Sequence, residues 1–380
     1  MESKENKIEE AFMKRAIELA KRGQGWTNPN PLVGAVIVKD NTIISEGYHK
    51  KFGEKHAECD AICNAQKNNI DLKGATLFVT LEPCCHTGKQ PPCTDAIIDS
   101  GISRVVIGSF DPNPLVFGGG IKKLRENGIL VETDFLKDEC DALNPIFFHF
   151  ITKKTPFVIL KYAMTADGLT ATSSGESKWI TGEKARAHVH QTRANVMAVM
   201  TGIGTAIKDD PLLNARFCNK NVRQPVRIVP DSHVRLPPTS HLAKTAKEIP
   251  VILFCANELS SSEERRKNAL ASLGVEIISV SSQAERLSLD EILKTLGERG
   301  IDSVLVESGG TLTASFLFPK ILANEIHAYV SPKIFGTVSP VSFTPVRGIG
   351  TEKIDSCVQL SEPKIEIFGS DVLLRYAVLK

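Results

Sequence analysis

The chain has no apolar run approaching the roughly 20 residues that a membrane span requires, and Met1 to Glu10 is charged rather than signal-like. No membrane segment is expected, and the cytoplasm is the expected compartment. An excess of one charge is also missing, because 46 Lys and Arg against 44 Asp and Glu leave a formal net charge of +2 with both signs interspersed. Without a basic stripe, and with aromatics at only 6%, nucleic acid would find neither an electrostatic footprint nor a stacking platform. A small-molecule substrate is expected instead. The nine cysteines are scattered and odd in number, which is no disulfide framework. Nowhere do the three spaced glycines of a dinucleotide-binding Rossmann turn occur, and no internal repeat links the two halves. A length of 380 residues is long for one domain and suggests two, each able to bury its own core.

What is present is a cluster of metal-binding residue types: His56-Ala57-Glu58, then Pro83-Cys84-Cys85-His86, then Pro91-Pro92-Cys93. One histidine and two cysteines, His56, Cys84 and Cys93, can hold Zn²⁺ at three corners and leave the fourth for water, whose pKa then falls from above 15 to roughly 7. A carboxylate close to the metal but not bound to it, Glu58, can take the proton of that water and later return it to a departing amine. If a helix starts near His56, residues 56 and 58 lie about 200° apart around it, so Glu58 need not compete as a ligand. A closed structural zinc site would need a fourth ligand, for which Cys85 and His86 are available. The order of the two pairs is that of the zinc deaminases, whose cysteines usually have two residues between them. Here eight residues separate Cys84 from Cys93.

The first half alternates helix and strand. Ile8, Phe12, Ala16 and Leu19 recur at helical spacing as a core-facing stripe. Leu32 to Val38, Ala75 to Leu81 and Arg104 to Ile107 read as buried strands, and Gly47 to Gly53 reads as a loop before the helix that carries Glu58. Glu82 to Cys93 and Ser109 to Gly120 are then loops at the carboxyl ends of strands, where open α/β sheets build their sites. In the second half, after a linker ending at Lys153-Lys154-Thr155-Pro156, strand-like runs occur at Phe157 to Ala163, Val196 to Met200, Val226 to Val229, Val251 to Phe254, Val275 to Val280 and Ser303 to Glu307. Helical patterns lie between several of them, so this half is α/β as well. Gly309-Gly310 after the last run, and Gly202-Ile203-Gly204-Thr205 after another, are weak phosphate-binding signals, since glycine pairs also make plain turns.

Residues 5–148 resemble the deaminase domain of the bifunctional riboflavin-biosynthesis deaminase/reductase family. The resemblance is carried by Asn28-Pro29-Asn30-Pro31-Leu32-Val33-Gly34-Ala35, by His56-Ala57-Glu58, by the run from Glu82 through Pro83-Cys84-Cys85-His86-Thr87-Gly88-Lys89-Gln90 to Cys93, and by Asp111-Pro112-Asn113-Pro114-Leu115-Val116. It implies one zinc per chain on His56, Cys84 and Cys93, Glu58 as the catalytic proton carrier, and a pyrimidine pocket at Asn30, His49, His86, Asp111 and Asn113. Cys85 stands where serine is expected, and Phe117-Gly118-Gly119-Gly120 lacks a basic residue often found after that loop.

Residues 152–380 resemble the reductase domain of the same family, clearest up to Ser232 and again from Glu307 to Ser315. Lys161-Tyr162-Ala163-Met164-Thr165-Ala166-Asp167-Gly168, Ser177-Lys178-Trp179-Ile180-Thr181-Gly182 and Thr201 through Arg216 carry it. By resemblance NADPH falls on Ala163, Trp179, Thr205, Asp209, Ser232 and the segment Gly309, Gly310, Thr311, Leu312, Thr313, Ala314 and Ser315. The reductase substrate falls on Ser177, Arg193, Leu213, Arg216 and Glu307, with Arg193 and Arg216 expected to hold its phosphate bidentately. Thr165-Ala166-Asp167-Gly168 and Lys333-Ile334-Phe335-Gly336-Thr337 depart from the commoner pattern at residues given no chemical role.

The resemblance thus implies a zinc-dependent deaminase domain at 1–148, cytidine-deaminase-like in three layers, followed at 152–380 by an NADPH-dependent reductase domain of dihydrofolate-reductase-like fold. It implies a phosphoribosylated pyrimidine as substrate of two successive reactions, and a homo-oligomer, either dimer or tetramer. The alternative expectation is an active deaminase beside a degenerate reductase half.

Overall fold

The structure, a computed structural model, describes residues 4–86, 91–113, 116–216, 222–283, 286–337, 343–348 and 350–379. The chain divides into two compact units, Met1–Lys154 and Thr155–Lys380. Among the described residues no helix is long and apolar enough to cross a membrane.

The first unit runs α1 (Lys4–Lys21), β1 (Gly34–Lys39), β2 (Thr42–Tyr48), α2 (Ala57–Lys67), β3 (Thr76–Leu81), α3 (Cys93–Asp99), β4 (Arg104–Ser109), α4 (Gly119–Glu126), β5 (Leu130–Glu132), α5 (Lys137–Asp141) and α6 (Pro145–Lys153). Its five strands are ordered β2-β1-β3-β4-β5, with β1 antiparallel to β2 and β3, and β3, β4 and β5 parallel. Alternate side chains of the central strands face opposite layers. Ala35, Ile37, Leu77, Val79, Val105 and Ile107 pack toward α2, α3, α4 and α6, while Val36, Val38, Phe78 and Val106 pack toward α1 and Cys140 of α5. Two apolar faces of one sheet, each covered by helices, make the three-layer sandwich.

Within α1, Phe12, Ala16 and Leu19 are buried as the stripe predicts, but Ile8 is exposed. The strand β2 also reaches through Gly47 and Tyr48, which the sequence placed in a loop. Gly47 is there because a Cβ would stand 2.3 Å from the backbone nitrogen of Ala61. Glycine thus marks the close approach of β2 and α2, not a turn.

The second unit runs β6 (Phe157–Thr165), α7 (Glu183–Asn195), β7 (Ala198–Met200), α8 (Ile203–Asp209), β8 (Val226–Pro230), α9 (His241–Lys244), β9 (Val251–Ala256), α10 (Ser261–Ser272), β10 (Glu276–Val280), a short hairpin β11 (Ser282–Gln283) and β12 (Arg286–Leu287), α11 (Leu289–Glu298), β13 (Ser303–Glu307), α12 (Gly310–Ser315), β14 (Glu325–Ser331), β15 (Lys364–Phe368) and β16 (Asp371–Ala377). Nine strands form one sheet in the order β10-β9-β8-β7-β13-β6-β14-β16-β15. The seven from β10 to β14 are parallel, and β16 and β15 add to them antiparallel. Val158, Leu160, Met200, Ile228, Phe254, Val304 and Val306 lie in its main apolar core. The strands β14, β15 and β16 are additions to the sequence reading. Their polar residues hide them: β14 carries the buried His327, and β15 is an edge strand with both charged and exposed apolar residues.

Candidate functional sites

In the first unit, His56 is the residue that caps α2, and Cys93 is the first residue of α3. Cys84 lies just past β3, so three separate segments meet. His56 Nδ1 lies 3.2 Å from Cys93 Sγ and 3.5 Å from Cys84 Sγ, and the three candidate ligand atoms are all within 4.8 Å of one another. Zinc–sulfur bonds near 2.3 Å and zinc–nitrogen bonds near 2.1 Å at a tetrahedral angle put nitrogen and sulfur about 3.6 Å apart. The triad therefore fits Zn²⁺ with little movement. Hydrogen bonding from Cys93 and His56 brings the Cys84 thiol down to about 4, into the thiolate form a zinc ligand needs.

Glu58 sits in the first turn of α2, buried at 3% exposure, and is not one of the three clustered ligands. His56, the residue before α2 and two before Glu58, is extended rather than helical, so the wheel angle drawn from the sequence does not apply. Burial pushes the Glu58 carboxyl up to about 7, against the pull of His56. Cys85 also stands outside the triad.

The predicted pocket residues gather around this cluster. His49 is buried, its ring 5.4 Å from that of His56, with Nδ1 2.9 Å from the Lys55 carbonyl and Nε2 3.2 Å from Asn30 Nδ2. Asp111 is buried and accepts a hydrogen bond from Asn113 N–H at 2.8 Å. His86 Nδ1 is buried with no partner among the described residues, as a group awaiting a ligand would be. Thr87 to Gln90 and Pro114-Leu115, which belong to the motifs, lie outside the described residues.

Two neighbours received no role from the sequence. Glu82 accepts from Gly118 N–H and Gly120 N–H, both at 3.1 Å, and so ties the Cys84 loop to the start of α4. Its signal was an acidic residue directly before the Pro-Cys pair. Cys59, one turn on from His56, has its sulfur 3.9 Å from that of Cys93.

In the second unit a cleft of about 840 Å³ opens at the carboxyl ends of β6, β7, β8 and β13. Of the residues expected there, Ala163, Ser177, Thr205, Asp209, Ser232, Glu307, Gly309, Gly310, Thr311, Leu312 and Ser315 line it. Thr313 and Ala314 do not: helical spacing turns them inward, and they are buried. Trp179 is 66% exposed outside the lining, with the Arg186 guanidinium 4.5 Å from its ring. Leu213 is buried at a positive φ of 49°. Gly310 is pinned by packing, since a Cβ would stand 2.5 Å from the Thr344 carbonyl oxygen.

The two arginines depart from expectation. Arg193 spends its fork on Glu307, Nε to Oε1 at 2.5 Å and Nη2 to Oε2 at 3.0 Å, with Nη1 on the Asn214 carbonyl at 3.0 Å. Its bidentate face is therefore occupied by a carboxylate and not offered to a phosphate. Arg216 is exposed and places Nη2 3.2 Å from His190 Nε2. Lys161, quoted in a motif but given no role, lines the cleft with Nζ 3.5 Å from Glu307 Oε2. Burial pushes the Glu307 carboxyl up, but Arg193 and Lys161 outweigh it and bring it down to about 2.

Residues 6–109 match the cytidine and deoxycytidylate deaminase zinc-binding region, and residues 156–374 match the RibD C-terminal domain. The riboflavin biosynthesis protein RibD of Actinobacillus pleuropneumoniae is 50% identical over 369 residues, which cover 97% of this chain and 95% of that one. That of Aquifex aeolicus is 40% identical over 367 residues, covering 97% and 98%. Among solved structures, a diaminohydroxyphosphoribosylaminopyrimidine deaminase/5-amino-6-(5-phosphoribosylamino)uracil reductase from Thermotoga maritima is 41% identical with a TM-score of 0.84, covering 99% of this chain and 100% of that one. RibD of Acinetobacter baumannii is 37% identical with a TM-score of 0.85 over the same shares. With both halves matched and relatives aligned end to end, the chain belongs to the RibD family of riboflavin-biosynthesis deaminase/reductases.

Proposed function

We propose that the first unit hydrolyses the 2-amino group of 2,5-diamino-6-(5-phosphoribosylamino)pyrimidin-4(3H)-one. The second unit then reduces the ribosyl group of the product, 5-amino-6-(5-phosphoribosylamino)uracil, to give 5-amino-6-(5-phosphoribitylamino)uracil. The observation that carries this reading is the triad of His56, Cys84 and Cys93 within 4.8 Å, beside a buried Glu58, in a chain whose other half holds a ligand-sized cleft.

In the first reaction a C–O bond forms at the amino-bearing ring carbon, a C–N bond breaks and ammonia leaves. Held by His56, Cys84 and Cys93, zinc would acidify water enough to supply hydroxide at neutral pH. Glu58 accepts the proton that the water gives up, passes it to the neighbouring ring nitrogen and then protonates the departing amine. Burial favours the carboxylic acid and a cation at the triad favours the carboxylate, which suits a group that must take a proton and return it. We assign recognition of the aminopyrimidine and its ribose to Asn30, His49, His86, Asp111 and Asn113. The His86 Nδ1, buried without a partner among the described residues, and the contact between Asn30 and His49 support that assignment.

In the second reaction a C–H bond forms at the ribosyl C1′, the bond from C1′ to the ring oxygen breaks and that oxygen takes a proton from water; NADPH held in the cleft would supply the hydride. We assign the cofactor to Ala163, Thr205, Asp209, Ser232, Gly309, Gly310, Thr311, Leu312 and Ser315, which line the cleft, and the substrate to Ser177, Glu307 and Arg216. Arg193 acts through Glu307, holding its carboxylate at the wall of the cleft, and Arg216 is the arginine left to meet a phosphate. The intact cluster of Glu307, Arg193 and Lys161 favours a working reductase over a degenerate one.

The reading includes a homo-oligomer, dimer or tetramer, for which Ile365 and Ile367, exposed on the edge strand β15, offer an apolar surface. It also includes a cytoplasmic setting, consistent with free thiols at all eight described cysteines.

The test supplies the diaminopyrimidine to zinc-loaded protein, measures ammonia, then adds NADPH and follows its absorbance. Ammonia release followed by NADPH consumption is expected. No ammonia from folded, zinc-loaded protein would overturn the first reaction, and ammonia without NADPH oxidation would overturn the second.

A further inference from the structure

Glu82 is 3% exposed, and its carboxylate is met by backbone amides. Oε2 accepts from Gly118 N–H at 3.1 Å, while Oε1 accepts from Gly120 N–H at 3.1 Å and Ile121 N–H at 3.4 Å. The N–H of Glu82 itself donates to the Ser109 carbonyl at 2.9 Å. Ser109 ends β4 and Gly118 caps α4, so one residue grips the connection between β4 and α4 at both ends.

That connection carries Asp111 and Asn113, both assigned above to the substrate. Asn113 N–H donates to Asp111 Oδ1 at 2.8 Å, and the Asn113 carbonyl accepts from Val116 N–H at 2.8 Å and Phe117 N–H at 2.9 Å. The contacts therefore run from Asp111 through Asn113 and Phe117 to Gly118 and the Glu82 carboxylate. In the other direction Cys84, a member of the metal triad, follows Glu82 by two positions. Glu82 is where the substrate loop and the metal loop are joined.

Packing shows how close that join is. A Cβ on Gly120 would stand 2.1 Å from the Pro83 carbonyl oxygen and 3.3 Å from Glu82 Oε1, and one on Gly119 would stand 2.8 Å from Cys85 Sγ. Glycine is needed there because the Cys84 loop lies directly against the start of α4. A carboxylate suits the spot: both its oxygens accept, neither donates, and its charge faces the amino end of a helix. Glutamine has the same shape but would turn an NH₂ group toward one set of those amides, leaving a backbone N–H without its acceptor.

We propose that Glu82 is a positioning residue of the deamination: it fixes the loop of Asp111 and Asn113 to the strand end that carries Cys84, and so sets where the pyrimidine ring lies relative to the metal. The proposal rests on the reading of the first unit as the deaminase. Glu82 touches neither substrate nor metal and acts through Asp111 and Asn113. With the join loosened, the substrate loses its well-placed partners while His56, Cys84, Cys93 and Glu58 keep theirs. The loss therefore falls on KM more than on kcat.

The test is a double-mutant cycle on the full zinc-loaded chain, with ammonia release from the diaminopyrimidine measured for wild type, Glu82→Gln, Asp111→Asn and the double variant, and zinc content measured for each. Glu82→Gln is expected to keep one zinc per chain, to raise KM about tenfold and to change kcat by less than about threefold. In the Asp111→Asn background the same change should raise KM by less than about threefold, because its route to the substrate is already cut. An unchanged KM, a loss confined to kcat, or an equal rise in both backgrounds overturns the positioning role. Wild-type protein that releases no ammonia overturns the deaminase reading beneath it. If Glu82→Gln does not fold, Glu82→Asp keeps the charge at α4 with a shorter reach, and a wild-type KM in that variant overturns the proposal.

Discussion

Arg193 and Glu307 meet through two parallel contacts, Nε to Oε1 and Nη2 to Oε2, across 114 residues of sequence and with both side chains largely buried. The pair joins α7 to the end of β13, and Lys161 of β6 completes it from the next strand. One carboxylate thus compensates two cations at the wall of the cleft.

Removing that carboxylate alone leaves the cations facing each other out of water. Glu307→Gln should destabilise the second unit by about 3 kcal/mol, seen as a lower denaturant midpoint for that transition. The native pair also sets an acid limit. The Glu307 carboxyl is brought from 4.5 down to about 2, so its stabilisation is complete above pH 4.5 and is lost as pH falls toward 2. The midpoint of Glu307→Gln should vary less across that window, and an equal acid sensitivity would show that the pair is not responsible.

Glu58→Gln keeps the shape of the first site and removes its proton carrier. Zinc content by elemental analysis should remain at one per chain, while ammonia release falls about 10²- to 10⁴-fold. Oxidation of NADPH by the same variant, supplied with the deaminated substrate, should be unaffected. Rapid turnover of the diaminopyrimidine would exclude Glu58 as the carrier.

Asp111 stands in the opposite relation to pH. Burial, with Glu82 and Cys84 adding to it and the Asn113 N–H opposing, raises its carboxyl from 3.8 to about 6. A raised carboxyl contributes stability below its unfolded value and loses it as pH rises through about 6. Asp111→Asn should therefore raise the thermal midpoint at neutral pH more than in acid, while the KM of the deamination rises roughly tenfold for want of the charged acceptor.

Gly310→Ala tests the backbone of the second cleft. The added methyl meets the Thr344 carbonyl oxygen at 2.5 Å and the Arg347 side chain at 3.0 Å, both from residues of the cleft lining. Overpacking of 1–2 kcal/mol, about tenfold in NADPH affinity by titration, is expected, with zinc binding unchanged.

The first site was legible because its chemistry is local and rare: His56 with Glu58, and Cys84 with Cys93, name their metal by residue type. Its walls were harder to read. Gly47 looked like a turn and proved to be a contact between β2 and α2, and Glu82 holds two backbone amides that no spacing rule connects to it. In the second unit six of the seven parallel strands stood out as apolar runs, whereas the seventh, β14, and the antiparallel β15 carry polar residues and did not. Arg193 was expected on a phosphate because arginine forks suit phosphates and carboxylates alike, and only the fold brings Glu307 within reach.

The metal triad draws together the start of α2, the end of β3 and the start of α3, and His56 and Cys93 are 37 positions apart in the sequence. A zinc ion held by all three is a staple across that loop, and its binding free energy adds to folding by mass action. Metal supply then becomes a determinant of lifetime: starved of zinc, the chain should lose order first around α2 and α3, and proteolysis there would report the loading state with no substrate present.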